Sequence, residues 1–146
     1  ASSMNGIVNM RQLLAELSPL LQPEHYVFCS VSKDHHEILE ALDPIGTFSE
    51  HEGLSLILTE ANAQAAGLHY DGVFRRITLQ VQSSLEAVGL TAAVSSALAK
   101  EGISANVVAA TYHDHIFVPC ERAEDALGIL KGLSSEAMKA AEGSAS

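Results

Sequence analysis

The stretch Val73-Phe74-Arg75-Arg76-Ile77-Thr78-Leu79-Gln80-Val81-Gln82 decides the fold, because it alternates along its length. Ile77, Leu79 and Val81 fall on one side and Thr78, Gln80 and Gln82 on the other, the period of a half-buried strand. Ser83 to Gly89 reads as the turn out of that strand. A helix follows over about 89–100, with Leu90, Val94, Ala97 and Leu98 in one apolar stripe and Gly102 ending it. Residues 103–112 read as a strand of small and β-branched residues. Tyr112-His113-Asp114-His115 is a hairpin turn, and 115–119 is the return strand, stopped by Pro119. A last helix over about 121–131 carries Ala123, Ala126, Leu127 and Leu130 on one face. Its acids Glu121, Glu124 and Asp125 stand at the start and Lys131 near the end, as the helix dipole favours. Gly132 is expected to cap it. The order β-α-β-β-α is a ferredoxin-like unit lacking its final strand.

Working towards the N-terminus, residues 9–17 read as a short helix in which Asn9 and Gln12 resemble a capping box, and Pro19 and Pro23 are expected to stop it. Tyr26 to Val31 reads as a buried strand, with a helical turn at Glu37–Leu42. A hairpin over 46–50 and 53–59 turns around Glu50-His51-Glu52-Gly53. Thr59 is placed to cap a helix over 60–66 that Gly67 closes. The two halves share an α-β-β-α core offset by roughly 80 residues, a weak internal repeat. Two complete βαββαβ units need eight strands and the sequence offers six, so strands must be shared, swapped or completed across a dimer. The expected class is α+β: two tandem ferredoxin-like sandwiches, antiparallel sheets with helices on one face. The expected division is 1–8 disordered, 9–70 and 71–133 as the two units, and 134–146 a flexible tail.

Composition narrows the function. The chain has 146 residues, 21 of them Ala, with 5% aromatics and no Trp, so the core must come from small and aliphatic side chains. Eight basic against eighteen acidic residues give a net charge of −10, and only Arg75–Arg76 are adjacent. No basic stripe could displace counterions from nucleic acid, and an anionic membrane surface would repel the chain. No apolar run approaches the ~20 residues of a membrane span, and no secretory leader pattern is visible at Ala1 to Arg11. Cys29 and Cys120 sit in apolar runs and read as a reduced pair, so a cytoplasmic setting is expected.

Other constellations carry little chemistry. His113 and His115 share a side, but no third metal ligand is identifiable, so a solvated hairpin tip is favoured over zinc. His35, His36 and His51 have no ligand spacing. Neither cysteine lies in a nucleophile motif. Glu50 and Glu52 form no defined acid/base pair, and Gly6, Gly46, Gly53, Gly67 and Gly72 are isolated turn glycines with no phosphate loop among them. No catalytic constellation, metal or cofactor is expected, and the chain does not read as an enzyme.

The segment Ser83-Ser84-Leu85-Glu86-Ala87-Val88-Gly89-Leu90-Thr91-Ala92-Ala93-Val94 resembles an ACT domain, and so do Gly102 to Ala109 and Tyr112 to Pro119. Tyr26-Val27-Phe28-Cys29 and Glu52 to Leu58 extend the likeness into the first half. Over about 25–132 the chain is similar to a small bacterial family of tandem ACT-like proteins of uncharacterised function. The resemblance implies a regulatory fold that binds amino acids at interfaces between paired domains, near the turn from the first strand into the first helix. Here that turn is Ser83 to Thr91. Independently of the resemblance, a glycine opening a helix exposes unpaired N–H groups at a positive dipole end and lets a carboxylate approach. The candidate binding residues are Ser83, Ser84, Glu86, Val88, Gly89, Leu90, Thr91, Asn106 and Asp114. The hydroxyls and backbone would take the ligand carboxylate, Asn106 a ligand amide or ammonium, and Glu86 or Asp114 the amino group. The expected partners are a small molecule, an amino acid first, and a second copy in a dimer. The competing expectation is a ligand-free module that homodimerises or docks on an enzyme, in which Ser83-Ser84 merely end a strand and Gly89 merely permits tight packing.

Overall fold

The alternating and helical stretches become elements close to their expected bounds. The structure, a computed structural model, describes residues 10–34, 36–82 and 88–145. In chain order these hold α1 (Met10–Ala15), β1 (Pro19–Val31), α2 (His36–Leu42), β2 (Gly46–Ser49), β3 (Leu54–Thr59), α3 (Glu60–Ala65), β4 (Phe74–Leu79), α4 (Leu90–Lys100), β5 (Asn106–Ala109), β6 (Asp114–Pro119), a 3-10 turn (Cys120–Arg122) and α5 (Ala123–Ala145). The expected disorder of 1–8 and the capping role of Asn9 lie outside the described residues.

Local chemistry sets the ends. Thr59 caps α3 through its Oγ1, which accepts from Asn62 N–H at 3.2 Å. Gly102, at φ +71°, closes α4 in the left-handed region where a side chain would be strained. Its N–H donates to Ala99 O at 3.0 Å and that of Ile103 to Leu98 O at 3.1 Å, the paired hydrogen bonds of a Schellman end. Gly67 closes α3 with the same pair, to Gln64 O and Ala63 O. β5 is shorter than the 103–112 expected, because Ile103 closes α4 and Ala110 N–H donates to His113 O in the turn.

Two elements overrun their sequence-based limits. β1 begins at Pro19 and runs through Pro23 for 13 residues, where both prolines were expected only to stop a helix. Proline is tolerated at the first position of a strand. Pro23, which has no N–H to give a ladder, stands where β1 passes from one compact unit into the other. α5 does not stop at Gly132; it continues to Ala145. The buried positions Ala126, Leu130, Ser134 and Ala137 continue one stripe at three- and four-residue spacing. That packing outweighs the roughly 1 kcal/mol each interior glycine costs a helix.

The chain forms two compact units. The inserted unit is Pro23–Arg75; the flanking unit joins the residues up to Gln22 with those from Arg76 onward. In the inserted unit the strand order is β2-β3-β1-β4, to which β4 contributes Phe74 and Arg75. Antiparallel register pairs Tyr26 with Thr59 through to Val31 with Leu54, and Gly46 with Ile57. Its core is Val27, Cys29, Val31, Leu42, Leu56, Leu58 and Ala63. Burial pushes the Cys29 thiol up, as suits a small core residue.

In the flanking unit the order is β1-β4-β6-β5, to which β1 contributes Pro19–Gln22. The missing strand is thus found by sharing: β1 and β4 each serve in both ferredoxin-like units, so six strands do the work of eight. The core joins Ile77 and Leu79 of β4, Ile116 and Val118 of β6, Leu90, Val94 and Leu98 of α4, and Ala126 and Leu130 of α5, with Met10, Leu13 and Leu14 of α1 packed against it. The helices therefore cover one face of these strands. No helix among the described residues is long and apolar enough to cross a membrane.

Candidate functional site

The start of α4 is built around Gly89, which takes φ +101° and ψ −24° at the N-cap position. A glycine has no side chain to cap with, so the N–H groups of Leu90, Thr91 and Ala92 receive nothing from their own N-cap. Ala93 N–H is the first to find a helical partner, Gly89 O at 2.9 Å. A Cβ added at Gly89 would lie 2.9 Å from Cε of Met10, so the α1 methionine packs directly on this turn. Leu90 is anchored in the core, whereas Val88 (85% exposed) and Thr91 face outward. Ser83, Ser84 and Glu86 lie outside the described residues.

The other two candidates sit on the β5–β6 hairpin. Asn106 is exposed at the first position of β5, and its Nδ2 donates to Phe117 O at 3.3 Å. Asp114 opens β6 opposite Ala109, while Asn106 is opposite Phe117. The register therefore puts the two at opposite ends of the hairpin, about 10 Å apart along the strands. Burial pushes the Asp114 carboxyl pKa up, offset in part by the neighbouring His115. The structure gathers Val88 to Thr91 at one helix start and separates Asn106 from Asp114.

A polar cluster that the sequence did not single out lies on the face of β4 and β6 turned away from the helices. Gln22 Nε2 donates to Thr78 Oγ1 at 3.3 Å. Thr78 Oγ1 is also hydrogen-bonded to Nδ1 of His115 at 3.0 Å, with the ring's tautomer setting which of the two donates. Thr78 is 5% exposed. Burial first, then the positive charges of Arg76 and His113, push the His115 pKa below 6.5, with Asp114 acting against them. Alternation alone places Thr78 and His115 on this face; only the pairing of β4 with β6 brings them together. Among the described residues no group of three or more His, Cys, Asp or Glu could hold a metal.

The shifted His115 sets a pH dependence. Its folded pKa is below the unfolded one, so the unfolded chain protonates first. Its contribution to stability is present above pH 6.5 and is lost as the pH falls through the window below that value. Asp114 acts with the opposite sign, and only in the acid range just above its ordinary 3.8. We expect His115→Gln to shrink the loss of melting temperature between about pH 7.5 and about pH 5.5. Equal losses in the two proteins would remove His115 from this account.

Two family models, each an ACT domain, match the chain in tandem, over residues 5–75 and 74–132. A crystal structure of a Vibrio cholerae protein of unknown function is 50% identical, with a TM-score of 0.79 over 88% of this chain and 98% of that one. An Agrobacterium tumefaciens protein shares the fold at 19% identity, with a TM-score of 0.66 over 80% of this chain and 87% of its own. The ligand-free regulatory subunit of aspartate kinase from Thermus thermophilus does so at 12% identity, with a TM-score of 0.61 over 81% of this chain and 97% of its own. No curated protein matches the chain. The chain belongs to the ACT-domain family, with two ACT-type units in tandem on a ferredoxin-like fold.

Proposed function

We infer that this protein is a non-catalytic regulatory module that binds a free amino acid, with the ligand carboxylate at the start of α4. The observation that carries the reading is the left-handed Gly89 opening an 11-residue helix whose first N–H groups have no side-chain cap from that position. In an overall field of −10, recognition of a carboxylate has to come from such local dipoles. The reading includes two ACT-like units in the linear order 9–70 and 71–133, a homodimer, and a cytoplasmic setting. A ligand that binds only the folded chain raises its melting temperature, by about 2.7 kcal/mol of stability at a hundredfold excess over Kd. We expect at least one of the twenty amino acids to do so in a thermal-shift panel. Thr91→Glu should shrink that rise, because it sets a carboxylate beside the same N–H groups while suiting the helix dipole. A flat panel, or a rise indifferent to Thr91→Glu for every amino acid, refutes the reading.

One observation favours the ligand-free alternative, a dimerisation or enzyme-docking module. Phe48, on the short edge strand β2, is 73% exposed. An open edge carrying a large apolar side chain invites pairing. Light scattering at micromolar concentration separates the versions: a monomer removes the homodimer, and a dimer that persists through a flat amino-acid panel supports the module without ligand.

A further inference from the structure

In the inserted unit, one face of the sheet is left bare by the described helices, and that face is apolar. Val27, Cys29, Leu56 and Leu58 turn to the core they share with Leu42 of α2 and Ala63 of α3, so Phe28, Ser30, Ser55 and Ile57 stand on the other side. Register carries this face across the sheet. Phe28 is opposite Ile57 and Ile57 opposite Gly46, while Ser30 is opposite Ser55 and Ser55 opposite Phe48. Phe74 of β4 closes the first row, its ring edge-on to that of Phe28 at 5.3 Å. Three of the four phenylalanines of the chain thus gather on one uncovered surface. Phe28 is 38% exposed and Phe48 73%. Beside Phe48 on β2, Gly46 leaves a notch floored by Ile57, whose Cδ1 lies 3.5 Å from where a Cβ would stand. Knob and notch are two residues apart on one strand and share one face.

We propose that the homodimer inferred above, on which this assignment rests, is made here: two copies meet sheet on sheet across a twofold axis, with Phe48 of each seated over Gly46 of the other. Charge selects the occupant. Each copy carries −10, so two copies can approach closely only where acids are absent. The rows from Phe74 to Gly46 and from Ser30 to Phe48 hold no ionisable side chain. A foreign partner steered to an acidic chain would bring basic groups, and this face gives them nothing to meet. Shape points the same way. A twofold axis crossing the strands at Thr47 lays residue 48 of one copy over residue 46 of the other, so each copy gives and receives the same contact. Glu50 stands at the rim, where the Ser55 hydroxyl donates to its carboxylate. The same axis sets the two Glu50 about 20 Å apart, roughly two Debye lengths. Four strands by the length of paired β1 give a footprint of about 15 Å by about 20 Å, which puts the dimer among the small, concentration-dependent interfaces.

Sedimentation of the full chain from about 1 to about 500 µM tests this, and we expect a reversible monomer–dimer equilibrium with a Kd on the order of 10–100 µM. Phe48→Glu and Ser30→Glu should each raise that Kd at least tenfold. Both positions are exposed, so melting temperatures measured where the chain is monomeric should stay within about 1–2 °C of the parent. Gly46→Ile fills the notch and should weaken the dimer too, although it adds apolar surface. Thr47→Pro separates the face from the edge. Glu50 and Gly53 exchange both backbone hydrogen bonds, so Phe48 and Ser55 are the next bonded pair and the Thr47 N–H points to the open edge. Removing that donor should leave a face-to-face dimer unchanged. A chain that stays monomeric to the highest concentration overturns the homodimer and this face together, while amino-acid binding answers to its own panel. A dimer indifferent to Phe48→Glu and Ser30→Glu keeps the homodimer and overturns the face. So does a dimer strengthened by Gly46→Ile, or one lost in Thr47→Pro at an unchanged melting temperature, which is the mark of edge-to-edge pairing.

Discussion

Leu98→Ala will lower the stability of this protein by about 3 kcal/mol, and Leu56→Ala will do the same. Leu98 is fully buried in the core of the flanking unit and Leu56 is 1% exposed in that of the inserted unit, so each truncation leaves a cavity among neighbours fixed by strands and helices. For a chain of this length each cost corresponds to a fall of about 10 °C in melting temperature. The two variants are more informative together. β1 passes from the flanking unit into the inserted one at Gln22–Pro23, and β4 passes back at Arg75–Arg76. Neither unit can lose its strands without taking residues from the other, so both truncations should move one and the same cooperative transition. Calorimetric and van't Hoff enthalpies should then agree in each variant. Two resolvable transitions, one moved by Leu98→Ala and the other by Leu56→Ala, would show that strand sharing does not couple the units.

That sharing marks the boundary of what the chain discloses unaided. Period-two alternation at Ile77, Leu79 and Val81 and the stripe at Leu90, Val94 and Leu98 are local, and both places are buried as expected. The helix stops at Gly67 and Gly102 are local too. A deficit of two strands is also visible from counting. The remedy is not, because it depends on Leu17 and Ser18 bonding to Val81 and Gln80, more than sixty residues away. The candidate site divides in the same way. Val88 to Thr91 are contiguous, so their gathering at one helix start needs only the helix. Asn106 and Asp114 are related by hairpin register, which places them at opposite ends. The Gln22–Thr78–His115 chain joins three strands, and no spacing within any one of them announces it.

The C-terminal segment gives the sharpest contrast between a local signal and tertiary packing. Glycine at position 132 followed by small polar residues reads as a cap and a frayed tail, yet α5 runs on to Ala145. What holds it is α1. Ser134 Oγ donates to Ala15 O at 2.9 Å, which satisfies a carbonyl at the end of α1 that has no helical partner. Ser134 and Ala137 are buried, and Leu133 packs against the core of the unit. Ending the chain after Gly132 removes these contacts and uncovers the side of α1 they protect. The lost apolar burial and hydrogen bond together amount to about 2–3 kcal/mol, and we expect a fall of about 6–10 °C in melting temperature. Hydrogen exchange should locate the damage: the amides of α1 lose protection, while those of β3, in the inserted unit, change only as far as global stability does. Ser134→Ala should reproduce about 1 kcal/mol of the effect by itself. If the shortened chain melts where the full chain does and α1 stays protected, residues beyond Gly132 are the loose tail that their composition suggests.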